Sequence, residues 1–243
     1  SESDRAFVYK GTEQETGKTC ALKIIRPDAQ VSIEQKNRFI RGAKYAAQFR
    51  HPHVARVYKG MKHRGVFCVV TEYVEGKDLS DLVEEAGGHL ELTDALDITA
   101  QILSGLQAAY GQGLVIRSVY PDSVIVGEGL NAKLTHFELV KPVPSEEEKQ
   151  VTRIVDGNVN ADPAYAAPEL IAYPVVADQR ADVFGAGSCL YYMLTGQAPF
   201  PKGLPRNRVS AVFQRVLEDP RDYNPELPEE IVEILDTALA EQP

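Results

Sequence analysis

The hydrophobic pattern of this 243-residue chain changes character once, close to Gly76. Before that point, short runs rich in β-branched and aromatic residues predict strands. They are interrupted by one stretch, 32–49, whose apolar residues recur at helical spacing. After Gly76, most of the chain has helical periodicity. The pattern predicts an α+β fold, in which a small antiparallel β-sheet with one main helix precedes a larger, mostly helical part.

The individual elements follow from the same pattern. The turn residues Glu15-Thr16-Gly17-Lys18 predict a hairpin between the first two strands. Thr93 is expected to be the N-cap of the second helix after Gly76, and 141–162, with little periodicity, is expected to be a long loop. Strands are predicted at 7–10, 19–25, 54–58, 66–72, 124–126 and 132–134, and the remaining helices at 79–85, 93–110, 182–194, 208–217 and 229–239.

Composition and charge narrow the function classes. The net charge is −9 and the isoelectric point is about 5.1, which argues against a nucleic acid or an anionic membrane as partner, since both require a cationic face. No apolar stretch approaches the roughly 20 residues that span a bilayer, and no signal peptide opens the chain. We therefore expect no direct membrane insertion. The chain is expected to be cytoplasmic, alone or as the cytosolic domain of a larger, membrane-anchored protein.

Cysteine and histidine usage gives no sign of a disulfide or metal site. Three cysteines, Cys20, Cys68 and Cys189, each lie in an apolar run, so buried, reduced thiols are expected. The spacing of the five histidines matches no metal-ligand motif.

Several short motifs follow one another along the chain. They are Ala21-Leu22-Lys23, His51-Pro52-His53-Val54, Glu72-Tyr73-Val74-Glu75-Gly76, Ile116-Arg117-Ser118, His136-Phe137-Glu138, Ala167-Pro168-Glu169 and Leu194-Thr195-Gly196-Gln197-Ala198-Pro199-Phe200. This series resembles that of the eukaryotic-type protein kinases in their bacterial Ser/Thr form. The resemblance implies one bilobal, protein kinase-like domain over 1–243, with an N-lobe at 1–71, a hinge at 72–76 and a C-lobe at 77–243, truncated at both ends.

The same resemblance implies that the catalytic positions are degenerate. His136 and Ser123 lie where the family has the carboxylate and the amide that bind magnesium. Ser118 replaces the aspartate that acts as base, and Gly42 replaces the helix glutamate that holds Lys23. We expect no catalytic residue and no metal site here. Two displaced carboxylates, Glu138 and Asp122, remain as substitute ligands to be considered.

The positions that would hold a nucleotide are better preserved. Lys23 matches the phosphate-binding lysine, and with a cationic His136 it could neutralise phosphates without magnesium. No cofactor is required by this hypothesis, but ATP or ADP could bind in a metal-independent manner; the alternative is a cleft filled by side chains. The nucleotide-binding candidates implied by the resemblance are Val8, Ala21, Lys23, Thr71, Glu72, Val74 and Ile125.

Two function classes remain at this point. The first is a catalytically inactive kinase-like domain, a pseudokinase, which acts as an interaction or allosteric module in signalling by docking another kinase or signalling protein. The alternative is a weak or atypical ATP-dependent phosphotransferase. The pattern of replacement favours the first class, because packing positions match the family while the positions that carry chemistry do not.

Overall fold

A computed structural model describes residues 6–137, 139–145, 164–172, 176–200 and 217–240. Its strands are β1 Ala6–Thr12, β2 Thr19–Ile25, β3 Val57–His63, β4 Val66–Glu72, β5 Lys77–Asp78, β6 Leu114–Val115, β7 Val124–Val126, β8 Ala132–Leu134 and β9 Lys141–Pro142. Its helices are α1 Ile33–Ala46, α2 Leu79–Glu85, α3 Leu92–Gly111, α4 Pro168–Ala172, α5 Gln179–Thr195 and α6 Glu229–Ala238.

The N-terminal part is an antiparallel sheet with strand order β1-β2-β4-β3. Gly17 has φ 71° in the turn between β1 and β2, a left-handed conformation that glycine adopts without steric cost. Helix α1 begins with a capping box between Ser32 and Gln35 and packs its buried side against the sheet. Its closest approach is to β3, where a Cβ atom on Gly60 would lie 2.9 Å from the Cβ of Ala43.

The C-terminal part is built on two helices, α3 and α5, that pack against each other. Asp178 caps α5 by accepting from the Arg180 N–H, and Gly196 ends the helix in a left-handed conformation with φ 68°. Thirteen of the seventeen residues of α5 are buried, so this helix forms the centre of the C-terminal core. Two small sheets, β5-β7-β8 and β6-β9, lie on the side that faces the N-terminal part.

The expected bilobal α+β architecture is confirmed, as are most of its predicted elements. One strand was misplaced: Val54 takes part only in isolated bridges, and β3 runs from Val57 to His63 rather than over 54–58. The predicted cap was also wrong, because α3 starts one residue earlier, after Glu91, which makes no side-chain capping bond. The start of the predicted loop pairs as β9.

Part of the expected loop and the helix at 208–217 lie mostly outside the described residues. The three cysteines are buried and unbridged, as expected. Among the described residues, no helix is both long enough and apolar enough to span a bilayer.

Candidate functional site

A cleft of about 380 Å³ lies where the N-terminal sheet meets the C-terminal part. The sheet supplies its upper wall, the connection after β4 supplies its inner edge, and β7 with the 135–137 segment supplies its floor. The structure places all of the predicted nucleotide-binding residues on the walls of this one cleft: Val8, Ala21, Lys23, Thr71, Glu72, Val74 and Ile125. Apolar side chains line part of this cleft, and charged or polar groups, among them Lys23, Asp81 and Asp122, line the rest.

The connection between the two parts offers unused backbone groups to this cleft. The Glu72 carboxylate bridges Lys133 and the Arg56 backbone N–H. Although burial opposes its ionisation, these hydrogen bonds lower the pKa of Glu72, so the group is held ionised and fixed. Val74, two residues on, makes no backbone hydrogen bond to any residue that the structure describes. Its N–H and C=O are therefore available to a planar ligand edge.

Helix α1 presents apolar side chains to the cleft instead of a carboxylate. Phe39 and Ala43 line the cavity together with Lys23. Gly42, at the position where the resemblance requires the tethering glutamate, is buried in the same helix and has no side chain. The nearest acid along α1, Glu34, is exposed and accepts from Arg38 at 3.4 Å. The ion pair that the family makes between this helix and Lys23 therefore has no counterpart in α1.

Ser118 is turned towards the protein interior. Its Oγ donates to the backbone oxygen of His136 at 2.7 Å and lies 3.3 Å from the backbone oxygen of Ile116. The side chain is buried, so it ties the 116–123 loop to the 135–137 segment. A serine hydroxyl with a pKa far above neutral, already bonded to carbonyl groups, is unsuited to accept a proton from a substrate.

The Ser123 hydroxyl is likewise hydrogen-bonded within its own loop. Its Oγ accepts from the Tyr120 N–H at 2.9 Å and donates to the Tyr120 carbonyl at 2.7 Å. The residue is completely buried. Both bonds close the short 3₁₀ turn at 121–123, so the oxygen that would replace the magnesium-binding amide is directed into the loop and away from the cleft.

Tyr120 and His136 form a pair that the sequence did not predict. Their rings stack with centroids 5.5 Å apart and an interplanar angle of 12°. The Tyr120 hydroxyl lies 3.2 Å from His136 Nδ1, within hydrogen-bonding distance. His136 lines the floor of the cleft, where the family would hold metal-bound phosphates, and Tyr120 packs on its ring. The resemblance identified His136 as a substituted position, but only the fold shows that its ring meets Tyr120.

The loop that carries Ser118 is anchored from below by Asp182 of α5. Its two carboxylate oxygens accept from the Ile116 N–H at 2.8 Å and from the Arg117 N–H at 2.6 Å. Burial raises the pKa of Asp182 to about 6, against the opposing effect of these bonds. Arg117 is itself buried with φ 64°, and burial lowers the pKa of its guanidinium to about 10.

The two positions that hold magnesium in the family do not fit that ion here. Imidazole is a poor ligand for this hard cation, and Ser123 is bonded to backbone. Asp122 does line the cleft, but one of its carboxylate oxygens accepts from Ser80 at 2.7 Å. Glu138 lies outside the described residues. Within the described ranges, no group of three or more potential ligand side chains is arranged around a common point.

The fold and the cleft agree with the comparison to known proteins. The family described as protein kinase domain matches residues 4–243, which is nearly the whole chain. The chain belongs to the protein kinase domain family. Its relatives include the probable serine/threonine-protein kinase pknA2 of Bifidobacterium longum, 30% identical over 225 residues and 90% of this chain. Another is the serine/threonine-protein kinase PrkC of Bacillus subtilis, 27% identical over 238 residues and 98% of this chain.

These matches cover only part of the relatives. The protein kinase domain spans 28% of the Bifidobacterium protein and 36% of the Bacillus protein, about a third of their lengths. Among solved structures, the kinase domain of Mycobacterium tuberculosis PknI superposes with a TM-score of 0.75 at 22% identity. That superposition covers 99% of this chain and 84% of the PknI chain. At this identity the structural likeness establishes the fold alone.

Proposed function

We propose that this protein kinase domain is a regulatory or interaction module in signalling that does not transfer phosphoryl groups at an enzymatic rate. One observation carries the proposal. The Ser118 hydroxyl, at the position of the family's catalytic base, donates to the His136 carbonyl at 2.7 Å and is buried. The two positions most important for chemistry are thus bonded to each other as parts of the scaffold.

The replacements at the other catalytic positions add to the loss of the base at Ser118. Removing a general base alone slows a reaction by about 10²–10⁴. The magnesium positions are occupied by an imidazole and by a serine that is bonded to its own loop. Helix α1 has no carboxylate for Lys23. Because positioning and charge compensation make up nearly all of the catalysis of phosphoryl transfer, these losses act on the same barrier.

Nucleotide binding without magnesium is part of the proposal. Three features support it: apolar side chains on the walls of the cleft, backbone groups of Val74 that bond to no described residue, and a lysine on the cleft wall. His136 faces the same space. In this role ATP or ADP would be a ligand that stabilises one arrangement of the two parts, and no cofactor would be consumed. The partner would be another kinase or signalling protein, and the setting the cytosol, free or as part of a longer, membrane-anchored protein.

A second candidate, a weak or atypical ATP-dependent phosphotransferase, is favoured by the comparisons. The relatives of this chain are named as serine/threonine-protein kinases. Two groups with suitable chemistry also remain on the cleft wall: Lys23 could hold a phosphate, and Asp122 is a carboxylate that could act from a displaced position. This candidate requires that the reaction proceed without the family's base and metal geometry.

Incubation of the domain with γ-labelled ATP separates the two candidates. The proposal expects no transfer to the domain itself or to a general acceptor protein above the level of a Lys23→Ala variant, with magnesium or with manganese. Mass spectrometry of the preparation must show it free of contaminating kinase. Transfer that is present in the wild type, absent in Lys23→Ala and reduced in Asp122→Asn would establish the phosphotransferase and overturn the proposal.

A further inference from the structure

The charge of this chain is divided unequally between its two parts. Residues 6–72 have thirteen lysines and arginines against five acids, whereas residues 73–243 have twelve against twenty-eight. Although the net charge of the whole chain is −9, its N-terminal part is therefore strongly basic. The imbalance is concentrated in one stretch: from Ile33 to Arg64 there are nine lysines and arginines and a single acid, Glu34.

Six of those nine cations lie on two elements that are packed together, α1 and β3. Helix α1 buries Phe39 and Ala43 against the sheet, which leaves Arg41 and Lys44 exposed on its outer side. Strand β3, which α1 contacts, carries the exposed Lys59 and Lys62. Arg64 follows in the exposed turn between β3 and β4. We call Arg41, Lys44, Lys59, Lys62 and Arg64 the basic edge.

The basic edge is not neutralised within the part of the chain that the structure describes. Arg38 pairs with the one acid of this stretch, Glu34, at 3.4 Å. None of the five basic-edge residues makes an ion pair with a described carboxylate. Five uncompensated cations on neighbouring elements produce a local positive potential that attracts an acidic ligand.

The strand at the centre of the basic edge also has a free side. The sheet order is β1-β2-β4-β3, so no described strand pairs with the outer edge of β3. Lys59 and Lys62 flank this edge on opposite faces of the sheet. Gly60 faces α1, and Lys62 shares its face, with Nζ 5.2 Å from the centroid of the Phe67 ring, whereas Lys59 points to the other face.

We propose that the basic edge binds an acidic, extended polypeptide segment of a partner protein, which adds a strand to β3. An added strand would use the unpaired backbone groups of β3. Its side chains alternate between the two faces, so its carboxylates meet Lys62 and α1 on one face and Lys59 on the other. The site is separate from the cleft and does not depend on whether the domain transfers phosphoryl groups.

Two simpler explanations account for less of the pattern. Lysines on an edge strand discourage aggregation, which explains Lys59 and Lys62 but not the cations of α1 or the near absence of acids. An anionic bilayer is attracted to positive charge, but it is flat. The cations lie on both faces of a strand, so a bilayer reaches only one set of them, whereas an extended peptide reaches both.

Fluorescence anisotropy with a labelled peptide of about a dozen residues tests the proposal. The peptide has the repeat Glu-Glu-Thr-Thr, which places carboxylates on both faces of an added strand. We expect the peptide to bind, binding to weaken as salt is raised, and Lys59→Gln/Lys62→Gln to bind roughly tenfold more weakly. Arg180→Gln/Arg221→Gln removes the same charge from the C-terminal part and should leave binding unchanged. Equal unfolding midpoints of the two double variants establish that both are folded.

Four outcomes would overturn the proposal. One is a peptide affinity that Lys59→Gln/Lys62→Gln does not change, and another is the absence of peptide binding at low salt. The third combines two results: the peptide does not bind, and the wild type co-sediments with phosphatidylglycerol-containing vesicles while Lys59→Gln/Lys62→Gln does not. This result would assign the basic edge to a membrane instead. A peptide methylated at successive backbone nitrogens keeps its side-chain charge but has no free N–H on either edge to donate to β3. Its failure to bind is expected, and undiminished binding would exclude the added strand.

Discussion

Single side chains in the 116–123 loop show how a catalytic loop keeps its shape without its chemistry. Ser118 and Ser123 are buried hydroxyl groups, and each finds backbone partners in the loop or beside it. A buried polar group is tolerated when it is hydrogen-bonded, so serine replaces a carboxylate or an amide here without an unpaired atom. Asp182 remains, and it holds the Ile116 and Arg117 N–H groups from below.

The raised pKa of Asp182 predicts a specific dependence of stability on pH. Its pKa is about 6 in the folded chain, above the ordinary value of 3.8, so the folded state binds this proton more tightly. The contribution of the group to stability is then largest below about pH 4 and is lost as the pH rises to about 6. The asparagine of Asp182→Asn cannot titrate. It also leaves one backbone N–H unpaired, which lowers the free energy of unfolding by about 1–3 kcal/mol.

We therefore expect the stability advantage of the wild type over Asp182→Asn, measured by urea unfolding, to fall between about pH 4 and 6 and to stay constant above. Asp28→Asn is a control of opposite sign. The hydrogen bond from Arg26 lowers the pKa of the exposed Asp28, so its contribution increases as the pH rises. An advantage over Asp182→Asn that does not change with pH would contradict the raised pKa.

At the scale of elements, what the sequence predicted well was local. The hairpin turn and α1 were predicted correctly because a turn glycine and helical spacing are both signals that lie within a few residues. The start of β3 was misplaced because Val54 is apolar for another reason: it is buried by a bridge to Leu134, eighty residues away along the chain. Periodicity cannot distinguish these two kinds of burial.

At the candidate site, too, the sequence predicted some features well and missed contacts between distant parts of the chain. The resemblance to kinases identified which residues share the cleft, since it is carried by an ordered set of motifs. It could not show that Tyr120 stacks on His136, or that Ser118 donates to the His136 carbonyl. Those contacts join two loops whose approach is set by packing on α5, and family motifs describe the family's own residues at these positions, not their replacements.

That packing is close enough to predict the effect of one methyl group. A Cβ atom on Gly185 of α5 would lie 2.7 Å from both the Cβ and the carbonyl oxygen of Val119. Because Val119 belongs to the 116–123 loop, the loop has to move. We expect Gly185→Ala to lower the free energy of unfolding by about 1–3 kcal/mol in urea titrations.

Gly111→Ala is the matched control for this substitution. Gly111 is the last residue of α3, and nothing lies within 4 Å of its added Cβ. Alanine there restricts the unfolded chain and should raise the stability by about 0.4–1 kcal/mol. If Gly185→Ala were as stable as Gly111→Ala, the contact between α5 and the loop would be looser than the structure indicates.

For the whole molecule, the cleft is the boundary between a basic part and an acidic part. Thirteen cations against five acids lie in 6–72, and the opposite imbalance follows. Lys23 belongs to the basic side, while Ile125 and His136 belong to the acidic side, and all three line the same cavity. A ligand in this cavity contacts both parts at once, so its binding stabilises their arrangement and raises the unfolding temperature of the entire chain.

This leads to a prediction about nucleotide binding and metal. ATP and ADP at about 1 mM should raise the unfolding temperature by roughly 2–4 °C, equally in magnesium and in EDTA, because protein cations and not a metal would face the phosphates. Lys23→Ala should abolish the shift. Lys59→Ala, on the same sheet but outside the cleft, should retain it. A shift that appears only with magnesium would mean that the cleft assembles a metal site after all, and no shift with either nucleotide would mean that side chains fill it.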